Sequence, residues 1–364
     1  DFRATPLASV FQNVFAEQEP QSMFNFHPLP LVSSKEIKRE NLFPSPFASF
    51  QPGELEDAIK TFGHNCKPLL DNLGDDFHAF MTHLLNLLLV HTACIASNTQ
   101  EKVPDIPLYD HLKTTCAIAA CLYQYCDAYG RWEELTRDTL SGQPFCLLIG
   151  DISGIQRYIF DIASSEREGG GVGKRLKARS FFVQLISEVV PFKVLSIFNL
   201  PPANTLMSSG GKFYVLLPNL RDTPARLENL AREIDAWFLE RLHAELGLNM
   251  AWLAFGEDDI GKRFGEVLGR AMIHLEERKD KSFSRAFIVD NRWVTAKFTL
   301  PPFERNQSPC SGCRKFPADR EFCSFCASDL EWGRSLPRSD YITISSQVIP
   351  GERELFGASI GIYR

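Results

Sequence analysis

Phe-Cys-Leu-Leu-Ile-Gly-Asp-Ile-Ser-Gly-Ile-Gln, residues 145–156, is an apolar run that ends on a lone acid and then a glycine. Residues 145–152 suit a buried central strand, and the segment from Gly154 opens a helix. Outward from there, 174–189 (Lys-Arg-Leu-Lys-Ala-Arg-Ser onward) predicts a second helix. An imperfect strand near 203–208 and a cleaner one at 212–218 flank Gly210-Gly211. A helix follows from about Pro224 to Leu246. Thr223 suits its cap, Pro224 its first turn and Gly247 its close. Leu227, Leu230, Ile234, Trp237, Phe238 and Leu242 fall three to four apart, a single buried stripe. Residues 250–255 give the last strand. The order β-α-β-β-α-β, with a doubled first crossover, is ferredoxin-like, an arrangement that hosts many functions and settles none.

On either side the chain reads as mostly helical, so the class is α+β. Residues 1–56, rich in Phe and Pro, read as an extended, partly packed lead-in. Residues 77–90 are apolar on most sides and suit a buried helix; 111–125, Ala-rich, predict a second helix packed closely against it. Residues 257–285 read as helical. Residues 341–349 read as a strand without an evident partner. The expected divisions are a helical region over 1–140, the α/β domain over 141–300, a cysteine knuckle over 301–335 and the start of a further domain over 336–364.

Cys310-Ser-Gly-Cys313 and Cys323-Ser-Phe-Cys326 form two CxxC pairs nine residues apart. Such a segment has too few apolar side chains to fold alone, and a tetrahedral zinc held by four thiolates supplies a core. The alternative is a pair of disulfides in a secreted module. Against it, Cys66, Cys94, Cys116, Cys121, Cys126 and Cys146 are scattered singly through apolar segments, as reduced thiols are. A closed four-cysteine site leaves no position for substrate, so the expected zinc is structural.

Composition fits a globular chain of two or three domains: 364 residues, 44% hydrophobic and 23% charged. No uninterrupted apolar window reaches the ~18 residues of a membrane span, and no leader pattern opens the sequence. Together with the cysteine pattern this predicts a cytoplasmic protein with no membrane partner. The net charge of −6 excludes a global nucleic-acid footprint but not a local patch. The first residue is Asp rather than Met, as expected of a fragment or a trimmed chain.

Chemistry concentrates at two places. Asp151 and Ser153 lie where a strand meets a helix start, an arrangement suited to a metal and a phosphate, although Asp151 capping that helix explains it equally well. Ser208, Ser209, Gly210 and Gly211 precede Lys212 in a turn that lets a nucleotide approach the backbone, or that is simply a two-residue hairpin loop. Lys174, Arg175, Lys177 and Arg179 form a basic cluster, either a solvated helix face or a contact for RNA or triphosphate. Gly-Glu-Asp-Asp at 256–259 is followed by a helical pattern and reads as a helix start. Residues 168–175 resemble a phosphate loop, but Glu168 replaces the first glycine and Arg175 the magnesium-binding hydroxyl. His64, His78, His83 and His91 lack metal spacing.

Taken together, 150–156 and 208–212 resemble the palm of nucleotidyl cyclases and polymerases, where an acid after the first strand and a Gly-Gly-Asp-Asp hairpin hold two metals. Here the hairpin reads Ser-Gly-Gly-Lys, with no acid, so the palm is expected to bind a nucleotide without catalysis. That degenerate palm, with Lys-Ala-Arg-Ser-Phe (177–181) and the four-cysteine knuckle in the same order, resembles the large subunit of type III CRISPR effector complexes, Csm family. Residues 108–120 resemble the end of its HD domain, with Asp110-His111 its recognisable remnant. No His-Asp dipeptide occurs in the sequence, and no Gly-Gly-Asp-Asp. The resemblance implies a subunit that works with CRISPR RNA, target RNA and small and backbone Csm-type proteins. It implies cleavage of single-stranded DNA by the HD domain and synthesis of cyclic oligoadenylates from ATP by paired palms, with magnesium or manganese only in the complete subunit. This chain is then the non-catalytic ATP-binding palm with its scaffold. A structural RNA- or protein-binding module and a stand-alone nucleotidyl cyclase, such as a diguanylate cyclase, are the rivals.

Overall fold

The structure is a computed structural model that describes residues 7–9, 27, 43–45, 52–73, 75–100, 103–137, 140–161, 171–289, 292–294, 307–318 and 320–364. Most of the expected lead-in over 1–56, and residues 168–170 of the glycine loop, lie outside the described residues. The chain divides into two compact units, Asp1–Ala120 with Leu200–Asn204, and Cys121–Asn199 with Thr205–Arg364.

In the first unit, α1 (Pro52–Leu73) packs against α2 (Phe77–Thr92), which Asp76 caps through the Ala79 N–H. The Phe62 and His91 rings meet edge to face at 5.5 Å. The expected buried helix is for the most part only half-buried: Leu85 and His91 are its buried residues, while Phe77, Leu89 and Val90 face outward. The expected close packing of the two apolar helices also fails, because α1 covers α2 instead. The first half of α3 (Leu108–Tyr129) belongs to this unit, where Asn204 Nδ2 donates to the Ala117 carbonyl.

The second unit opens with the rest of α3, where Cys121 lies against the Leu216 carbonyl, and with the short α4 (Trp132–Thr136). Its centre is a sheet of β1 (Phe145–Ser153), β2 (Thr205–Ser209), β3 (Lys212–Pro218) and β4 (Gly247–Phe255), in order β2-β3-β1-β4 and antiparallel throughout. Between them run α5 (Ile155–Phe160), α6 (Val172–Phe198) and α7 (Thr223–Leu242). β1 is buried along nearly its whole length because both its neighbours pair with it and both its faces are covered.

Side chains alternate across the faces, so the pairing register sorts them. Gly150 pairs with Phe213, whose ring lies where a Gly150 Cβ would stand, and Ser208 pairs with Phe213 in turn. That face carries α6 and α7, whose Phe182 and Trp237 rings stack at 6.4 Å. The opposite face carries Phe145, stacked on Phe255 at 5.5 Å. There Phe264 meets Phe255, bringing in α9 (Phe264–Lys279), which follows α8 (Glu257–Lys262). Asp259 accepts from the Gly256 N–H, so Gly-Glu-Asp-Asp is a helix start. Helix α6 is long and apolar enough to cross a membrane, but much of its surface is buried and it packs against β2 and β3 as the core helix of this unit.

After α10 (Ser284–Phe287) come two small hairpins, β5 (Ile288–Val289) with β6 (Arg292–Trp293), and β7 (Ser308–Pro309) with β8 (Pro317–Ala318). Then follow α11 (Ser324–Ser335), β9 (Tyr341–Ser345), β10 (Arg353–Leu355) and β11 (Ala358–Tyr363). The strand expected to stand alone, β9, pairs with β11. That partner is Ala-Ser-Ile-Gly-Ile-Tyr (358–363), a short run whose small residues and glycine mute its strand signal.

Candidate functional site

Asp151 lies within β1, opposite Lys212 of β3 and Asn249 of β4, on the face that carries α9. It does not cap α5; Gly154, at φ 88, occupies that position. The Glu245 carbonyl lies so close that a Cβ at Gly154 would meet it at 2.6 Å. Asp151 is instead met by Lys279 from the end of α9, Nζ to Oδ2 2.7 Å, and the same ammonium lies 2.7 Å from Glu276. Burial alone would lower the Lys279 pKa, but the two carboxylates outweigh it and hold the group above its ordinary value.

Ser153 lies two residues further along the same face. Its hydroxyl accepts from Asn249 Nδ2 at 2.8 Å, and Ser282 donates to Asn249 Oδ1 at 2.9 Å. Asn249, Lys279 and Ser282 therefore complete a polar cluster at this end of the sheet. Sequence reasoning missed all three. The one available signal was a lone Asn in the apolar run Gly247–Phe255.

The Gly-Gly turn is a two-residue hairpin loop with φ of 61° and 86° at Gly210 and Gly211, values glycine adopts without strain. A Cβ at Gly210 would meet nothing within 4 Å. A Cβ at Gly211 would run into Ile155 at 2.6 Å. Ser209 pairs with Lys212 and so shares the Asp151 face, exposed at the rim. Ser208 faces the other way. Its hydroxyl lies 3.0 Å from the Ser187 carbonyl, which has no N–H partner four residues on because that residue is Pro191. The register thus unites Asp151, Ser153, Ser209 and the glycine turn at one end of the sheet and removes Ser208 from them.

The basic cluster is split. Lys174 and Lys177 are exposed, whereas Arg175 and Arg179 are buried against the cysteine knuckle. Arg179 Nε donates to Asp329 at 2.9 Å and Nη1 to the Tyr158 carbonyl at 2.6 Å. The expectation of a single solvated basic face is corrected: at helical spacing, 175 and 179 share one side of α6 and 174 and 177 another.

Cys310, Cys313, Cys323 and Cys326 are all buried, with their sulfurs within 4.8 Å of one another. Cys313 and Cys323 Sγ are 3.8 Å apart, the edge of a tetrahedron with metal–sulfur bonds of about 2.3 Å. The N–H groups of Gly312 and Cys323 point at Cys310 Sγ, at 3.3 and 3.2 Å. The donor set, its enclosure and those N–H groups fit a structural zinc. Hydrogen bonds from Cys323 and Cys326 hold the Cys313 thiol far below its ordinary range; Cys323 itself is pushed up to about 12. Phe316, Phe322 and Phe325 pack around the cluster, so the knuckle has more apolar cover than its sequence implied. Among the described residues this is the one group of three or more His, Cys, Asp or Glu side chains placed to hold a metal. Cys146, inside β1, is a packing residue whose thiol burial pushes up to about 12.

Comparisons with known proteins find related sequences and folds. The family described as Csm1 subunit domain B matches residues 144–292. The CRISPR system single-strand-specific deoxyribonuclease Cas10/Csm1 (subtype III-A) of Mycobacterium tuberculosis is 32% identical over 199 residues, 53% of this chain and 24% of the relative. Its Streptococcus thermophilus counterpart is 25% identical over 364 residues, 95% of this chain and 45% of the relative. The chain thus spans less than half the length of these relatives. Among solved structures, a Csm1-Csm4 cassette in complex with pppApA superposes with TM-score 0.67 at 21% identity, covering 99% of this chain and 42% of that one. A cassette in complex with cA4 gives 0.56 at 25% identity, covering 78% and 35%. Residues 144–292 thus match Csm1 subunit domain B, and the chain as a whole is similar in sequence and fold to the Csm-type large subunit of type III CRISPR systems.

Proposed function

We propose that this chain is part of the large subunit of an RNA-guided type III effector in antiviral defence, and that it supplies a nucleotide-binding palm that does no bond-making itself. Residues 141–300 form that palm, 301–335 the zinc knuckle and 336–364 the start of a following domain; 1–140 correspond to the later part of an HD domain. Solved relatives are described in complex with AMPPNP, one ATP, cA3 and cA4, which supports ATP as the ligand and cyclic oligoadenylate as the whole subunit's product. The relatives' description as single-strand-specific deoxyribonucleases supports DNA cleavage by the whole subunit. Csm4 is the partner those structures share. CRISPR RNA and target RNA, magnesium or manganese in the complete subunit, and a cytoplasmic location belong to the same reading.

One observation carries the non-catalytic assignment. The ammonium of Lys279 fills the space between Asp151 and Glu276 that a divalent ion would need, and the hairpin brings Lys212 rather than an acid to Asp151. Like-charge repulsion then works against a metal pair at this place. Asp151, Ser153, Ser209, Gly210 and Gly211 meet the phosphate and ribose, with Lys212 and Lys279 as cations. Nucleic-acid contact falls to the exposed Lys174 and Lys177. Zinc fills the knuckle, where its binding free energy is largely the folding free energy of that segment.

The test is ATP binding by this chain with and without magnesium, alongside product analysis. ATP binding that persists in chelator, with no cyclic oligoadenylate formed, is expected. Cyclic product from this chain alone overturns the assignment. RNA affinity that falls on Lys174→Ala and Lys177→Ala, in a chain that never binds ATP, favours the structural RNA-binding reading instead.

A further inference from the structure

Among the described residues Arg175 is the largest side chain that the fold buries completely, an unusual fate for a charged group. Its guanidinium reaches the cysteine knuckle: a Cβ added at Gly312 would meet Arg175 Nη1 at 2.5 Å and Cys326 Sγ at 2.9 Å, so both atoms crowd one point. Its carbon lies 5.8 Å from the Phe322 ring centroid, between the two cysteine pairs. One turn along α6, Arg179 Nη2 lies 4.0 Å from Cys326 Sγ, while Nε holds Asp329 on α11, the helix that carries Cys326. Its Nη1 reaches the carbonyls of Tyr158 and Asp161, at the end of α5.

We infer that Arg175 and Arg179 are the outer coordination sphere of the four-cysteine metal site, compensating its charge and fixing the orientation of Cys326. This rests on the proposal that the knuckle holds zinc. A divalent ion with four thiolates leaves two surplus negative charges in a buried place, where little water screens them. Two guanidiniums within reach of one ligand bring positive charge to it, Arg179 sharing its own with the Asp329 carboxylate. Arg179 Nη2 also points at the ligand sulfur, as outer-shell partners of metal ligands do, while Arg175 Nη1 lies beside it. The same contacts explain how a run that reads as solvated can be buried: each arginine is desolvated against an anion that forms only when the distant cysteines come together. Arg179 further joins the metal site to the carbonyl end of α5, the helix that follows Asp151 and Ser153.

The experiment loads the protein with zinc and follows its release to an excess of a chromogenic chelator. Helix content by circular dichroism confirms that each variant is folded. Arg175→Met and Arg179→Met are expected to weaken zinc retention about 10- to 100-fold, the usual cost of losing an outer-shell partner. Lys174→Met and Lys177→Met, on the exposed side of the same helix, are expected to release zinc at the parent rate. Folded arginine variants that retain zinc as the parent does overturn the inference, as do lysine variants that lose it equally. If the methionine variants do not fold, Arg175→Lys is loaded with cobalt. A shifted thiolate-to-metal absorption band supports the inference, and a spectrum superimposable on the parent's overturns it. A parent chain that takes up no zinc instead refutes the underlying zinc assignment.

Discussion

Lys279 at the end of α9 and Asp151 in the middle sheet strand form an ion pair of 2.7 Å, 128 residues apart in sequence. Both side chains are mostly withdrawn from water, so removing one leaves the other without compensation. Lys279→Met is expected to lower unfolding free energy by about 1–3 kcal/mol. Adding Asp151→Asn should recover part of that loss, with a coupling on the order of 0.5–3 kcal/mol. Urea unfolding of the four species measures it, and strictly additive losses would count against a coupled pair. Nucleotide binding should also become magnesium-dependent in Lys279→Met, because the vacated space between two carboxylates suits a divalent ion.

Asp235 on α7 gives the fold a pH dependence of defined sign. Burial pushes its carboxyl up to about 7, against the attraction of Arg285 and with the added repulsion of Glu228. The unfolded chain gives up this proton near 3.9, while the folded chain keeps it to about 7. Stability from this group is therefore intact below about pH 4 and lost as pH rises towards 7, by roughly 2–4 kcal/mol. Asp235→Asn should unfold later than the parent at pH 8 and with little difference at pH 4, as read by melting curves. Equal shifts at both pH values would contradict the assignment.

Ser208 and Pro191 are predicted to be coupled. The serine hydroxyl lies 3.0 Å from both the Glu188 carboxylate and the carbonyl that the proline leaves without its helical N–H. Ser208→Ala should cost about 1 kcal/mol in the parent and only a few tenths in Pro191→Ala, where the restored N–H reaches Ser187. ATP affinity should stay unchanged in Ser208→Ala, since that side chain faces α6. A large loss of affinity would return Ser208 to the nucleotide site.

Replacing Cys313 or Cys323 with Ser is expected to abolish zinc uptake and unfold the knuckle. Hydrogen exchange provides the readout: the Gly312 and Cys323 amides, which point at Cys310 Sγ, should lose protection while β1 to β4 keep theirs. Protection that survives in the zinc-free chain would show that Phe316, Phe322 and Phe325 suffice as a core.

The sheet was legible because its strands carry strong local signals. Phe145–Ile152 and Lys212–Pro218 are continuous apolar runs between a proline, a glycine pair and an acid, and they are strands within a residue of the expected ends. Pro224 and the apolar stripe placed α7, but its ends differ from the expectation: Asp222 rather than Thr223 is the cap, the helix stops at Leu242 with His243 left-handed, and Gly247 opens β4. The cysteine cluster was legible from spacing alone. What escaped notice depends on tertiary contact. Lys279, Asn249 and Ser282 reach Asp151 and Ser153 only through the sheet register and the return of α9. Arg175 and Arg179 look no different in sequence from Lys174 and Lys177; the anion that permits their burial is assembled from residues more than a hundred positions away. Helix α2 misled for the opposite reason: an apolar composition says that a face wants cover, not that the described chain provides it.

Gly333 of α11 lies directly on the backbone of α6, where a Cβ would come within 2.1 Å of the Lys174 carbonyl oxygen. With no side chain between them, there is no rotamer to absorb a push. A side chain of any size at 333 would therefore wedge the knuckle's helix away from the start of the long one, and glycine there is what lets the two backbones touch.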